Sequence, residues 1–260
     1  MKIPHNAFKR AIKSGKHQLG MWSSLCSNLS VEALSLCGFD WLMIDTEHAP
    51  NELPMVVQQL QAAKGGTAQP VVRPPWSDTV TIKRFLDGGV QTLLIPFIET
   101  AEQAEQAVRA CRYPPHGVRG YAAGTRAFLY GHAKDYHLHY EAEQCILLQV
   151  ETVTGVENIE KIAQIKGVDG IFVGPGDLSA SMGYLSESEH PKVVETISGA
   201  IRRIVAAGKA AGTVTTNMDH ARRFMRDGST FTAVGVDSQL LRLGANQLVQ
   251  AFADHQKIDA

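Results

Sequence analysis

Three ionisable residues, Asp45, Glu47 and His48, fall within four positions directly after the apolar run WLMI. Acids beside a histidine suit proton transfer, because histidine exchanges protons near neutral pH and neighbouring carboxylates orient it. Arg73 also follows an apolar run, PVV, and two prolines stiffen the exit. Its planar fork of donors fits a carboxylate, a keto oxygen or a developing enolate, and equally a structural ion pair with a nearby acid. Farther on, ILLQVE carries Gln149 and ends in Glu151, and IFV leads into GPGDLS, which holds Asp177. Two carboxylates from adjacent strands suit a hard divalent cation, with water or substrate filling its other positions. Asp177 is also well placed to cap the following helix, and the two roles can coexist. Gly174 and Gly176 allow close backbone approach, and N–H groups opening a helix hold a carboxylate or a phosphate.

Such groups need a scaffold that delivers strand ends to one place. Eight short apolar runs read as strands: 20–24, 41–45, 70–73, 92–96, 146–151, 170–174, 210–214 and 231–235. They lack clean alternation, as strands covered on both faces should. Amphipathic stretches such as LPMVVQQLQAAKG and DTVTIKRFLDGG separate them, and several stop at glycine. Eight such units predict one (β/α)8 barrel domain over residues 1–260, whose chemistry gathers at the C-terminal strand ends. A doubly wound open sheet is the competing architecture, but no G-x-G-x-x-G turn follows the first strand. Arg112–Tyr140 forms a long excursion between strands four and five, and Leu185–Pro191 a shorter one after strand six. The aromatic residues of the first excursion lack a basic stripe and read as packing.

The 25 basic and 26 acidic residues leave a net charge of -1, which gives no electrostatic case for nucleic acid or an anionic membrane. No run of 18 apolar residues and no signal-like leader is present, which predicts a cytoplasmic protein without membrane partners. Cys26, Cys37, Cys111 and Cys145 are widely spaced and read as reduced core or near-core thiols. No lysine occupies a strand body or C-terminal tip, which argues against a Schiff-base mechanism.

The segments GFDWLMIDTEHAPN, QPVVRPP, LLIPFIET, RYPPHGVRG, LLQVET, GVDGIFVGPGDLSASMG and FTAVGVD together resemble the metal-dependent class II pyruvate aldolases of the HpcH/HpaI type, from about Phe8 to beyond Leu241. The resemblance implies a (β/α)8 barrel in a homohexamer, a trimer of dimers, with the C-terminal helix packed on a neighbouring subunit. It implies one divalent ion per site, Mg²⁺, Mn²⁺ or Co²⁺, held by Glu151 and Asp177. It assigns Arg73 to the pyruvate oxygen, His48 to proton transfer and Asp87 to partnering that histidine. Gln149, Gly176, Asp177 and Arg126 become substrate contacts. The implied reaction is reversible aldol cleavage of a 4-hydroxy-2-oxo acid, with 4-hydroxy-2-oxoheptanedioate giving pyruvate and succinic semialdehyde as the first expectation. A deoxyglucarate-type sugar acid giving tartronate semialdehyde is the alternative, and a non-catalytic oxo-acid-binding barrel is a third. Thr46 stands where many members have glycine, and Thr213 and Thr215 face either a hydroxylated substrate or the barrel wall.

Overall fold

Eight parallel strands pair in sequence order, and the last closes on the first. They are β1 (Gln18–Ser23), β2 (Trp41–Asp45), β3 (Gln69–Arg73), β4 (Thr92–Ile95), β5 (Cys145–Val150), β6 (Gly170–Val173), β7 (Ala210–Val214) and β8 (Ser229–Val236). The first helices are α1 (Ala7–Lys13), α2 (Asn28–Ser35), α3 (Leu53–Ala62), α4 (Thr79–Asp87), α5 (Ala101–Cys111) and α6 (Tyr136–Glu143). Then follow α7 (Val153–Glu157), α8 (Ile159–Ala163), α9 (Pro175–Ser181), α10 (Pro191–Ala206), α11 (Met218–Arg226) and α12 (Asp237–Ala251). This computed structural model describes residues 1–253, so the last seven positions of the expected domain lie outside the described residues.

The closed sheet rules out the open doubly wound alternative. Strand edges differ from expectation by a few residues. β1 begins at Gln18, whose buried amide donates to the His17 carbonyl at 2.8 Å. β5 stops at Val150, so Glu151 stands just beyond the ladder, and β8 runs to Val236.

Side chains alternate across each strand. On β2, Trp41 and Met43 join the barrel interior with Val71, Leu147, Phe172 and Phe231. Ile44 turns outward to the helix layer with Val72, Leu148 and Val173. Continuing the inward set by two residues places Asp45, Arg73 and Gln149 at the C-terminal mouth. The floor is packed tightly: a Cβ at Gly20 would come within 2.1 Å of the Trp41 indole.

The polar N-terminal segment holds a helix that its pattern does not announce, α1. It plugs the floor with Phe8, whose ring meets Trp41 at 5.8 Å and Phe231 at 5.7 Å. Glu143 anchors it, accepting from Asn6 N at 2.7 Å and from Arg10 Nη1 and Nη2 at 2.9 and 2.6 Å. Buried Lys9 donates to the carbonyls of Glu141 and Gln144.

The long excursion folds on itself around Arg119, which is fully buried with its guanidinium 4.5 Å from the Tyr113 ring centre. Tyr121, Phe128, Tyr136 and Tyr140 complete that aromatic packing. All four cysteines are free; Cys111 and Cys145 are buried and Cys26 is half-buried. Cys37 corrects the core reading, because it is exposed just past α2. Among the described residues, no helix is long and apolar enough to cross a membrane. α12 touches the barrel through β1 and β8 and leaves Leu240, Leu241, Leu248 and Val249 exposed.

Candidate active site

The registered tips of β2 and β3 set Asp45 beside Arg73. Arg73 donates through Nε and Nη2 to the two oxygens of Asp45 at 2.9 and 2.7 Å. The remaining nitrogen, Nη1, lies 2.9 Å from Glu47 Oε2, in ion-pair range but without hydrogen-bond alignment. Trp22, one residue before the end of β1, donates its indole N–H to Asp45 at 3.2 Å and lies under the guanidinium at 4.9 Å. The ion pair considered for Arg73 is present: Asp45 pins the fork, and Glu47 stands at its third nitrogen.

Burial alone would push the Asp45 carboxyl up, but the Arg73 contacts outweigh it and hold Asp45 below the usual range. Burial would likewise push Arg73 down, and Asp45, Glu47 and Glu151 reverse that. Glu47 goes the other way: burial raises it, Arg73 offsets part, and Asp45 and Asp177 add repulsion. Thr46 extends the β2–β3 pairing, donating its hydroxyl to the Arg73 carbonyl at 2.6 Å.

Glu151 is buried at the end of β5. It accepts from Phe97 N at 2.8 Å and from Gln149 Nε2 at 2.5 Å. Gly174 leaves room for it, since a Cβ there would approach its Oε2 to 2.9 Å. Burial first, then the neighbouring charges of Glu47 and Asp177, push Glu151 up to about 7. Asp177 sits in the first turn of α9, where Gly174 is the N-cap and no side chain caps the helix. The capping alternative for Asp177 is thus not realised.

The donor set fits a hard divalent cation. A buried carboxylate raised by like charge gains most from a cation. Gln149 Oε1 is a buried acceptor with no hydrogen-bond partner among the described residues. Among those residues no three His, Cys, Asp or Glu side chains gather as a complete centre. Two carboxylates plus solvent or substrate oxygens are the donors the site offers.

His48 is exposed on the loop after β2. Asp87 does not meet it in this chain. α4 runs back from the C-terminal mouth, so Asp87, at its end, stands at the N-terminal mouth and accepts from Arg119 at 2.9 Å. Arg126 is at that mouth too, donating to the Gly88 carbonyl at 2.8 Å and lining a cleft of about 420 Å³ with His5, Gln91 and Tyr130. Thr213 is buried and donates to the Val173 carbonyl at 2.9 Å, so its hydroxyl serves the wall. Thr215 lines a second cleft that also reaches Gly176.

Two contributors escape a reading of the sequence. Trp22 is legible in hindsight as the inward residue one position before the tip of β1. Phe97 acts through its backbone N–H at a left-handed φ of 59°, which no side-chain pattern announces.

Residues 18–243 match the family model described as HpcH/HpaI aldolase/citrate lyase. The chain is 48% identical over 249 residues to the 4-hydroxy-2-oxo-heptane-1,7-dioate aldolase of Klebsiella pneumoniae, covering 95% of this chain and 94% of that protein. It is 47% identical to the pyruvate aldolase of Rhizobium etli, covering 97% and 100%. Among solved structures, an HpcH/HpaI aldolase/citrate lyase family protein from Burkholderia cenocepacia superimposes with a TM-score of 0.91 at 37% identity, covering 95% of this chain and 99% of that one.

Proposed function

The chain belongs to the HpcH/HpaI aldolase/citrate lyase family, and on that premise we propose that its C-terminal mouth cleaves a 4-hydroxy-2-oxo acid, related to 4-hydroxy-2-oxoheptanedioate, into pyruvate and an aldehyde. It is a carbon–carbon lyase. The observation that carries the site assignment is the Arg73 fork, pinned by Asp45 at 2.9 and 2.7 Å with Glu47 at its third nitrogen and the charge of Glu151 within its field.

In our reading the substrate carboxylate lies against the N–H groups of Gly176 and Asp177, and Arg73 contacts the 2-oxo oxygen. Gln149 packs on the same half of the substrate. The C3–C4 bond breaks and its electron pair moves onto C3 and the 2-oxo oxygen as an enolate. Arg73 faces that growing charge in a water-poor pocket, where a pre-aimed donor is worth about 3 kcal/mol. His48 takes the proton of the 4-hydroxyl through a water, and C4 leaves as the aldehyde carbonyl. A proton delivered to C3 completes pyruvate. Glu151 and Asp177 would hold a divalent ion, Mg²⁺, Mn²⁺ or Co²⁺, and when bound it would supply Lewis-acid stabilisation of developing negative charge.

The acid partner of His48 must then come from elsewhere. Asp87 and Arg126 stand together at the opposite mouth, so we assign them to the site of a second copy, within the homohexamer the family resemblance implies. The exposed leucines of α12 are the apolar seam for such packing. Free thiols at all four cysteines suit a reducing compartment, and we place the enzyme in the cytoplasm.

Pyruvate release from 4-hydroxy-2-oxoheptanedioate tests the reading. Activity should disappear with chelator and return with Mg²⁺, Mn²⁺ or Co²⁺. Undiminished release by exhaustively metal-stripped protein would overturn it.

A further inference from the structure

The exit of β1 is held by a carboxylate delivered from the end of β8. The two strands pair regularly as far as Gly20, and then the register slips: β1 advances two residues, to Trp22, while β8 advances three, from Ala233 to Val236. The extra residue is a bulge, which re-aims the side chains beyond it. Gly235 lies within the bulge, where Met21 packs so closely that a Cβ would stand 2.9 Å from its sulfur. The slip brings Asp237, the first residue of α12, level with Ser23.

Asp237 is buried, and neutral donors surround its carboxylate. Oδ1 accepts from Ser24 N at 2.8 Å and from Ser24 Oγ at 2.9 Å. Oδ2 accepts from Ser23 Oγ at 3.1 Å, Leu25 N at 3.2 Å and Ser30 Oγ at 3.4 Å. One backbone N–H of the β1 exit therefore falls on each oxygen. The residues gripped in this way, Ser23, Ser24 and Leu25, directly follow Trp22. The Trp22 indole N–H donates to Asp45 at 3.2 Å, and its ring lies 4.9 Å from the Arg73 guanidinium.

We propose that Asp237 is a positioning residue for Arg73: it fixes the exit of β1 and so holds the Trp22 indole against Asp45 and under the guanidinium. The inference rests on the role given to Arg73 above. Asp237→Asn keeps the shape of the side chain but not its acceptors. An amide has one acceptor oxygen and one donor nitrogen, so in either orientation a backbone N–H, of Ser24 or of Leu25, faces an NH2 group. The exit must shift to relieve that clash of donors, and Trp22 moves with it.

Protein carrying 5-fluorotryptophan gives a ¹⁹F NMR line for each of its three tryptophans, and the line lost in Trp22→Leu belongs to Trp22. Asp237→Asn should move the Trp22 line and leave those of Trp41 and Trp76 in place. Pyruvate release from 4-hydroxy-2-oxoheptanedioate with Mn²⁺ then reads the consequence. The expected losses in kcat are about tenfold for Trp22→Leu and about fivefold for Asp237→Asn. The double variant should lose about tenfold rather than about fiftyfold, because both changes act on one contact. Ser24→Ala removes a hydroxyl donor, keeps both backbone bonds and serves if Asp237→Asn does not fold. It should move the same line and lower kcat by about twofold, with no loss in the Trp22→Leu background. A Trp22 line that stays put, an undiminished kcat, or losses that multiply would overturn the inference. Absence of pyruvate release by the native enzyme removes the aldolase reading instead, and the Trp22 line still decides whether Asp237 places the indole.

Discussion

Replacing Glu143 by glutamine should loosen the floor of the barrel in a pH-dependent way. Burial alone would raise this carboxyl, but Arg10, the Asn6 N–H and His5 outweigh it and bring it from 4.5 down to about 2. At roughly 1.4 kcal/mol per pH unit that difference corresponds to about 3 kcal/mol. Arg10 is 53% exposed, so solvent screens its share and about 2 kcal/mol is the expected contribution. The sign follows from linkage: a depressed folded value stabilises fully above 4.5 and is lost as pH falls from 4.5 toward 2. Urea unfolding of the native protein and Glu143→Gln, at matched protomer concentration, measures the gap. It should be about 2 kcal/mol at neutral pH and shrink to less than half of that near pH 3. An equal gap at both pH values would show that the ionised carboxylate is not what holds α1, and the reasoning would fail.

Arg73→Lys keeps the charge but loses the two-pronged grip on Asp45, so kcat should fall by about a hundredfold while circular dichroism stays native. Trp22→Phe removes the indole donor to Asp45 and keeps a ring under Arg73, and steady-state kinetics should record a loss in kcat of about fivefold. Gly20→Ala drives a methyl into the Trp41 indole, and thermal unfolding should show a loss of about 2 kcal/mol. Divalent-ion affinity, followed by titration calorimetry, should weaken as pH falls through about 7, because Glu151 must then release a proton to bind.

Much of this molecule is legible in its sequence. The strands read cleanly because both faces of a parallel barrel are covered, and β2 and β7 match the expected limits residue for residue. The mouth is legible for the same reason: a covered strand that ends in Asp45 or Arg73, or runs straight into Glu151, carries that charge to the barrel rim. α1 is hidden because only Phe8 and Ile12 mark its apolar face, and its lysine is buried by carbonyl contacts that composition does not reveal. Asp45 reads in the sequence as support, yet it is the chief partner of Arg73; only strand register tells which tips touch. Resemblance places Asp87 with His48, and within one chain the direction of α4 separates them by the height of the barrel.

The most direct measurement is a crystal structure of the protein with Mn²⁺ and pyruvate, with the metal located by anomalous scattering. One Mn²⁺ is expected between the carboxylates of Glu151 and Asp177, with the pyruvate keto oxygen within hydrogen-bond reach of Arg73. Manganese bound elsewhere, or pyruvate seated away from Arg73 with that acid pair empty, would contradict it.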